Sequence, residues 1–280
     1  GFYPLWMDAF FERLQQNNRW YENASTAYIS THPMTSERMS DMQNRTRHMS
    51  PVTHRDSMDF FLVKARARVL QETTYDGWLK VSKSFENELK RHPAGYSLVA
   101  TQYGLSVAYA KMNQKDKALT AIRAAKAASK ENSVILDKHL AELTYQVAKT
   151  QAQKDQALAL AKSTCNQYPY SGLAASNYVE LLFQSGKHQE LVDYLRNQSA
   201  LSRSNPDYHM YLARSYEALG KKSMAFAATG DMYALLDNPR AAVYQFELAQ
   251  KANDGDFYIM SEIDAKLREQ RQKVLDQKKD

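Results

Sequence analysis

The apolar positions between residues 139 and 272 recur with a fixed period of about 34 residues. The small or aliphatic residues that follow each predicted helix–helix turn mark this period: Ala157, Leu191, Ala225 and Ile259. Gly186 and Gly220 each stand five residues before a marker, in the position of the turn itself. A repeat of this length that carries two amphipathic helices is the signature of tetratricopeptide repeats. The pattern therefore predicts an all-α solenoid of antiparallel helix pairs, which bury their apolar faces by stacking.

The same pattern extends towards both ends of the chain in altered form. Residues 59–72 and 75–91 read as a degenerate first pair, and Ala118 marks the next repeat. Because the step from Ala118 to Ala157 exceeds the regular period by five positions, the extra residues must lie in the connection or lengthen a helix there. The final helix becomes polar, as the end of a solenoid requires for solubility. We predict a tetratricopeptide-repeat domain over residues 59–280, with about six helix pairs of which the first and last are atypical.

The segment before the repeats, residues 1–58, does not share their pattern. Residues 2–17 read as a helix in which Trp6, Phe10 and Leu14 share one face. We expect this apolar face to dock on the repeats or on a neighbouring chain, because leaving it in water is unfavourable. Residues 48–58 contain Pro51 and read as a linker to the first repeat helix.

Composition excludes several classes of function. The net charge of +6 and the pI of about 9.1 are mild, and the basic residues are dispersed among acids. No nucleic-acid-binding module is recognisable. No apolar run is long enough to span a bilayer, so we expect contact with a membrane to be peripheral at most. The single cysteine, Cys165, is expected to be a buried apolar side chain.

Three motifs near the N-terminus carry a resemblance to a known family. They are Gly-Phe-x-Pro, Phe-Phe-x-x-Leu and Ser-Thr-His-Pro-x-x-x-x-Arg, all of which fall within residues 1–47. This combination resembles the end of the protease domain in the membrane- and envelope-associated zinc metallopeptidases that carry HExxH. One bacterial branch of that family continues directly into tetratricopeptide repeats. The resemblance implies that residues 1–47 are the C-terminal tail of a metallopeptidase domain whose catalytic core lies outside this chain.

The zinc-binding motif of that family is missing. None of the seven histidines begins HExxH, and no other cluster has the spacing of metal ligands. We therefore expect no catalytic residue and no cofactor in this chain, and we assign zinc to the longer parent protein. The chain alone is predicted to be inactive.

His32 has two interpretations. The resemblance implies a loop over the active site, from which the His32 imidazole could reach zinc and take the place of the catalytic water. A fourth protein ligand would close the open position that a catalytic zinc needs, so His32 would then be an autoinhibitory latch. Alternatively, His32 is a loop residue that is hydrogen-bonded at the domain edge.

The repeat phase predicts a groove for a protein or an extended peptide. Counting within each unit places these side chains on its surface: Tyr103, Glu142, Gln146, Glu180, Phe183, Met210, Arg214 and Tyr244. His139, Glu217 and Leu248 fall in the same phase. We see no Lys and Arg set that would clamp a carboxylate, and the mixture favours an extended or partly unfolded peptide over an acidic tail. In the alternative, the phase is off by one and Met210, Tyr244 and Leu248 belong to the core.

Two functions follow from these observations. In the first, the chain is the substrate- and partner-binding part of a periplasmic zinc endopeptidase. The resemblance then implies outer-membrane protein clients and the barrel-assembly machinery as partners. In the second, the chain is a free-standing adaptor that scaffolds an envelope complex and has no peptidase in its parent. The coding sequence upstream of Gly1 distinguishes them, because the first requires HExxH there.

Overall fold

A computed structural model describes residues 40, 44–45, 56–198 and 204–277. The chain divides into two units, residues 1–57 and 58–280. In the first unit the described residues Ser40, Asn44 and Arg45 are helical. The predictions for Trp6, Phe10, Leu14 and His32 lie outside the described residues.

The described part of the second unit consists of helices and turns, without strands. The helices are α1 (Met58–Leu70), α2 (Tyr75–Leu89), α3 (Gly95–Lys111), α4 (Lys115–Ala128), α5 (Val134–Val147), α6 (Gln151–Gln167), α7 (Gly172–Gln184), α8 (His188–Asn197), α9 (Pro206–Ala218), α10 (Lys222–Leu235), α11 (Pro239–Ala252) and α12 (Phe257–Asp276). Each helix packs chiefly on its near neighbours along the chain. The prediction of an all-α tetratricopeptide-repeat solenoid is therefore confirmed.

Several helices begin where the sequence supplies capping groups. The Thr150 hydroxyl accepts from the backbone N–H of Gln153, and the Gln153 side chain reciprocates, which forms a capping box at α6. Asn205 and Asn238 cap α9 and α11, each followed by a proline in the first turn. These local signals set the starts of α6, α9 and α11.

One turn geometry joins the two helices of three repeats. Gly186 and Gly220 have φ angles of 68° and 74°, and Asn113, which also stands five residues before its marker, has a φ of 58°. In each case the next backbone N–H donates to a carbonyl five residues earlier, at 2.9–3.0 Å, as from Lys187 to Leu182. This bond and the left-handed residue terminate the first helix. Asn113 therefore takes the part that glycine takes in the later repeats.

The extra residues between Ala118 and Ala157 are found largely in a longer helix. Helix α6 begins six residues before its marker Ala157, whereas α8 begins three residues before Leu191. The interruption of the period thus changes helix length and leaves the order of the pairs intact.

The core forms three successive clusters along the solenoid. The first joins α1–α5, the second extends from α5 to α10, and the third joins α10–α12. Such a core depends on contacts between neighbouring repeats rather than on one central mass. No helix in the described ranges has the length and the apolar character that crossing a bilayer demands.

Candidate functional site

A groove of about 590 Å³ runs between α9 and α11, with α10 packed against both helices. We call this surface the C-terminal groove. It is lined by Ala213, Arg214, Glu217, Gly220, Lys222, Ala225, Phe226, Thr229, Gln245, Leu248, Lys251 and Ala252. A recess of this size with an apolar lining and a few polar groups fits the general character of a ligand-binding site.

Four charged side chains stand on the C-terminal groove, and all four are exposed. Arg214 and Glu217 come from α9, Lys222 from the start of α10 and Lys251 from the end of α11. Among the described residues, none of the four has an ion-pair partner within 4 Å. The groove therefore presents three cations and one carboxylate that are open to a ligand.

An aromatic cluster extends this surface to α7. The Arg214 guanidinium lies 4.8 Å from the centre of the Phe183 ring, which also meets the Tyr211 ring at 5.3 Å and the His188 ring at 5.5 Å. The attraction between a cation and a ring face holds Arg214 in place without neutralising its charge. Burial raises the pKa of the Tyr211 hydroxyl, and the nearby Glu180 carboxylate raises it further.

Asp254 lies beside Lys222, at one end of the C-terminal groove. Its carboxylate accepts the backbone N–H groups of Lys222 at 2.7 Å and Ser223 at 2.8 Å, the first of α10. The Ser223 hydroxyl in turn donates to the Ala249 carbonyl at 2.9 Å. These bonds tie the start of α10 to the end of α11. Hydrogen bonding to Ser223, with the two backbone N–H groups, lowers the pKa of the Asp254 carboxyl.

A second cluster of polar groups lies between α3 and α5. Ser106 donates to the Ala118 carbonyl at 2.7 Å, and its oxygen lies 3.1 Å from Nε2 of His139. Nδ1 of His139 then faces Oε2 of Glu142 at 3.8 Å, and Lys138 donates to the same oxygen at 2.6 Å. We call these residues, with Tyr103, the α3–α5 polar cluster.

The electrostatics of the α3–α5 polar cluster follow from its burial. Burial lowers the pKa of His139, against the opposing effect of the Glu142 carboxylate. Burial raises the pKa of Glu142, but the His139 imidazole and the Lys138 ammonium together lower it to about 2. At neutral pH the cluster therefore holds a neutral imidazole beside an ionised carboxylate.

Ser106, His139 and Glu142 are the three residue types of a serine–histidine–acid triad, and they lie next to one another in that order. However, Ser106 is 0% exposed, and its proton is already donated to a backbone carbonyl. A substrate carbonyl could not reach that oxygen, so the cluster is structural. In the described ranges, no group of three His, Cys, Asp or Glu residues could hold a metal ion.

The predicted groove residues fall into two groups. Phe183 and Arg214 are in contact, Glu180 lies near Tyr211 in the same region, and Met210 is half-buried one turn before Arg214 on α9. Glu217 and Leu248, from the same phase, line the C-terminal groove itself. The structure thus brings Glu180, Phe183 and Arg214 together around Tyr211.

The remaining predicted groove residues lie outside this region. Tyr103 is 1% exposed and accepts from Arg66 at 3.4 Å, so its assignment to an open groove is wrong. Helices α1 and α5 contribute the side chains that cover it. Glu142 belongs to the same cluster, and Gln146 is exposed near the end of α5. Tyr244 is 59% exposed, which contradicts the alternative that places it in the core.

Sequence reasoning missed the charged groove residues Lys222 and Lys251, and also Asp254, which accepts from the start of α10. These residues lie at or just beyond helix ends. The repeat phase, by contrast, predicts surface positions in the middle of each first helix. No Lys and Arg set that would clamp a carboxylate is evident in the sequence, yet the fold places Arg214, Lys222 and Lys251 around one recess. A count that included helix termini would have found them.

The chain has curated relatives, although no protein-family profile matches it. Over 243 residues it is 25% identical to the beta-barrel assembly-enhancing protease of Escherichia coli (strain K12), and equally to the proteins of that name from Shigella flexneri and Escherichia coli O157:H7. The match covers 84% of this chain and 46% of the relatives, so the chain spans about half the length of the curated relatives it matches. The predicted resemblance is confirmed at this level of similarity.

Solved repeat structures share less sequence identity with the chain than these relatives do. The chain is similar to MamA (MSR-1, C2), with a TM-score of 0.46 and 16% identity over 64% of this chain and 97% of that one. It is also similar to a tetratricopeptide repeat protein from Parabacteroides merdae ATCC 43184, with a TM-score of 0.44 and 11% identity over 84% and 90% of the two chains.

Proposed function

We propose that this chain, as a relative of the beta-barrel assembly-enhancing proteases, is the substrate- and partner-binding repeat region of a periplasmic zinc endopeptidase. The parent enzyme would act in the assembly and quality control of outer-membrane proteins. The observation that carries the proposal is the match of 243 residues to proteases of that name. The clients would be outer-membrane proteins, and the barrel-assembly machinery would be the docking partner.

The geometry of the repeats supports a binding role. The C-terminal groove combines an apolar lining with charged groups that have no ion-pair partner among the described residues. An extended polypeptide suits such a surface, because it can place apolar side chains against the lining and pair its backbone with polar groups at the edge. Catalysis would be supplied by the missing protease core, which in this proposal holds the zinc and which His32 regulates.

The test uses the full-length parent protein. Leu248→Asp places a charge in the apolar part of the groove, and we expect it to slow degradation of a misassembled outer-membrane protein by about tenfold or more. Cleavage of a short generic peptide should remain unchanged, because the substitution lies in the repeats. Tyr170→Asp is the matched control, since Tyr170 is 94% exposed and lies outside the groove.

Two results would contradict the proposal. If the parent gene encodes no HExxH upstream of Gly1, the chain is an adaptor and not part of a peptidase. If the Leu248→Asp enzyme degrades the client as fast as the Tyr170→Asp enzyme does, the C-terminal groove is not where clients bind. The latch hypothesis has its own readout in the same enzyme: His32→Ala should raise proteolysis, and unchanged proteolysis would exclude it.

A further inference from the structure

The charge of the C-terminal groove is unbalanced. It is lined by three cations, Arg214, Lys222 and Lys251, and by one carboxylate, Glu217. Asp254 lies at the same end as Lys222, but its carboxylate is occupied by two backbone N–H groups of α10. Even when Asp254 is counted, cations remain in excess. A ligand that brings a carboxylate would therefore meet an attractive field.

The apolar part of the groove is equally specific. Phe226 and Leu248 are half-buried and line the groove together with the charged groups and with the small side chains of Ala225 and Ala252. Small side chains leave room that a bulky apolar group of a ligand can fill. Burial of such a group favours binding in proportion to the area removed from water.

We propose that the C-terminal groove binds an extended segment of a partner protein in which a bulky apolar residue adjoins an aspartate or glutamate. The inference rests on the proposed function, because it assumes that the repeats hold polypeptide. The apolar side chain would contact Phe226 and Leu248, and the carboxylate would pair with the cations beside them.

An internal acidic residue fits the layout better than a chain end does. Arg214 stands on α9 and Lys251 on α11, so a cation is present on both sides of the groove. A segment that passes between these helices therefore meets a cation wherever its carboxylate falls. Arg214 is held by the Phe183 ring, so little conformational freedom is lost when it pairs.

The experiment measures binding of labelled peptides of about twelve residues to the full chain by fluorescence polarisation. All have blocked ends unless stated. The first carries Phe-Glu pairs, the second carries Phe-Gln pairs, and the third carries Phe-Gln pairs with a free C-terminal carboxylate. We expect the second to bind about tenfold more weakly than the first, and this difference should shrink as salt is added.

Groove variants assign the effect to these residues. The double variant Arg214→Gln, Lys251→Gln should lose most of the preference for the first peptide over the second, since only Lys222 remains. The matched control is Lys80→Gln with Arg268→Gln, both exposed and on other helices, which should preserve the tenfold preference. Leu248→Asp should weaken binding of both peptides and so confirm that they occupy the groove.

Several outcomes would overturn the inference. If the Glu and Gln peptides bind equally and Leu248→Asp weakens both, the groove binds polypeptide without selecting a carboxylate, and only the further inference fails. If the peptide with the free C-terminus binds as tightly as the Phe-Glu peptide, the occupant is a chain end. If no peptide binds, the inference fails even where the client-degradation assay succeeds.

Discussion

The helix triplets α3–α4–α5 and α9–α10–α11 share one repeat register, but the face of the first helix is covered in one triplet and exposed in the other. Val107 and Arg214 each stand eleven residues before their markers, Ala118 and Ala225. Val107 is 3% exposed, whereas Arg214 is exposed and lines a groove. The same position in the repeat is therefore core in one triplet and surface in the other.

The difference follows from what packs on each first helix. Helix α1 packs along α3, and α5 adds the His139 imidazole against Tyr103 and Ser106. On α9, by contrast, Tyr211 and Arg214 contact the Phe183 ring of α7, and Tyr208 donates to the Gly172 carbonyl. A tetratricopeptide register thus fixes where a helix lies, while the neighbouring side chains decide whether its face is covered or exposed. We call α3–α4–α5 the closed triplet and α9–α10–α11 the open triplet.

Both triplets nevertheless depend on one aromatic ring seated on a glycine. A Cβ on Gly104 would lie 2.4 Å from the Phe85 ring, and one on Gly230 would lie 2.8 Å from the Phe246 ring. Phe85 and Phe246 are each 1% exposed. These rings are therefore the points at which each triplet can be weakened separately.

The largest effect is expected from removing those rings. Phe85→Ala and Phe246→Ala should each lower the free energy of unfolding by about 3–5 kcal/mol, because each leaves a cavity that the helices cannot fill. Urea denaturation followed by circular dichroism measures the loss. Under native conditions, Phe246→Ala should also weaken peptide binding at the C-terminal groove, whereas Phe85→Ala should not.

Phe257→Ala is the control for this comparison, because Phe257 is 79% exposed on α12 and its loss should change stability by less than about 0.5 kcal/mol. If Phe85→Ala weakens peptide binding as much as Phe246→Ala does, the two triplets are coupled more strongly than a solenoid with nearest-neighbour contacts allows.

The fold followed from the sequence because its signals are local. Capping residues, prolines and a regular repeat period specify helix ends and pairing without long-range information. Asn113 shows a limit of this reasoning, because a pattern defined by turn glycines does not include the asparagine at the same position. The left-handed φ of 58° is one that asparagine tolerates better than most residues.

The site was less predictable because burial depends on neighbours. Tyr103 and Met210 have the same phase, four residues before Val107 and Arg214, yet Tyr103 is buried and Met210 is only half-buried. Nothing in the period reveals that α1 covers the first of them. Lys251 and Asp254 come close to Lys222 because the end of α11 lies beside the start of α10. This is a tertiary contact, which the repeat period does not encode.

A smaller effect is expected from acid, and it should come from the closed triplet. The unfolded chain takes up a proton on His139 near pH 6.5, whereas the folded pKa is lower, so stability falls as the pH drops below 6.5. Glu142 adds a second loss between its ordinary pKa of 4.5 and its folded pKa of about 2. Allowing for partial exposure to solvent, we expect Glu142 to contribute about 2 kcal/mol of this acid sensitivity.

Urea midpoints measured from pH 7 to pH 3 test this prediction. Glu142→Gln should flatten the profile below pH 4.5, and the exposed Glu269→Gln on α12 serves as the matched control. A profile of Glu142→Gln that parallels the control would show that the α3–α5 polar cluster does not carry the acid response.

The smallest effect is expected at Asp254, in the open triplet. Asp254→Ala removes the acceptor of two backbone N–H groups at the start of α10 and should cost about 1 kcal/mol of stability, as loss of a helix cap does. Asp254→Asn keeps one acceptor oxygen and should cost about half of that. Because the folded pKa of Asp254 is depressed, the difference between the parent chain and Asp254→Ala should be present above pH 3.8 and should disappear as the pH falls below it.

The control for Asp254 is Asp237→Asn, an exposed turn residue before α11 whose φ of 53° asparagine also adopts readily. Both Asp254 variants remove a negative charge next to Lys222, so they should bind the Phe-Glu peptide at least as tightly as the parent chain while they are less stable. Loss of stability accompanied by weaker binding would show instead that Asp254 fixes the width of the C-terminal groove. The shape of the groove, rather than its charge, would then distinguish the open triplet from the closed one.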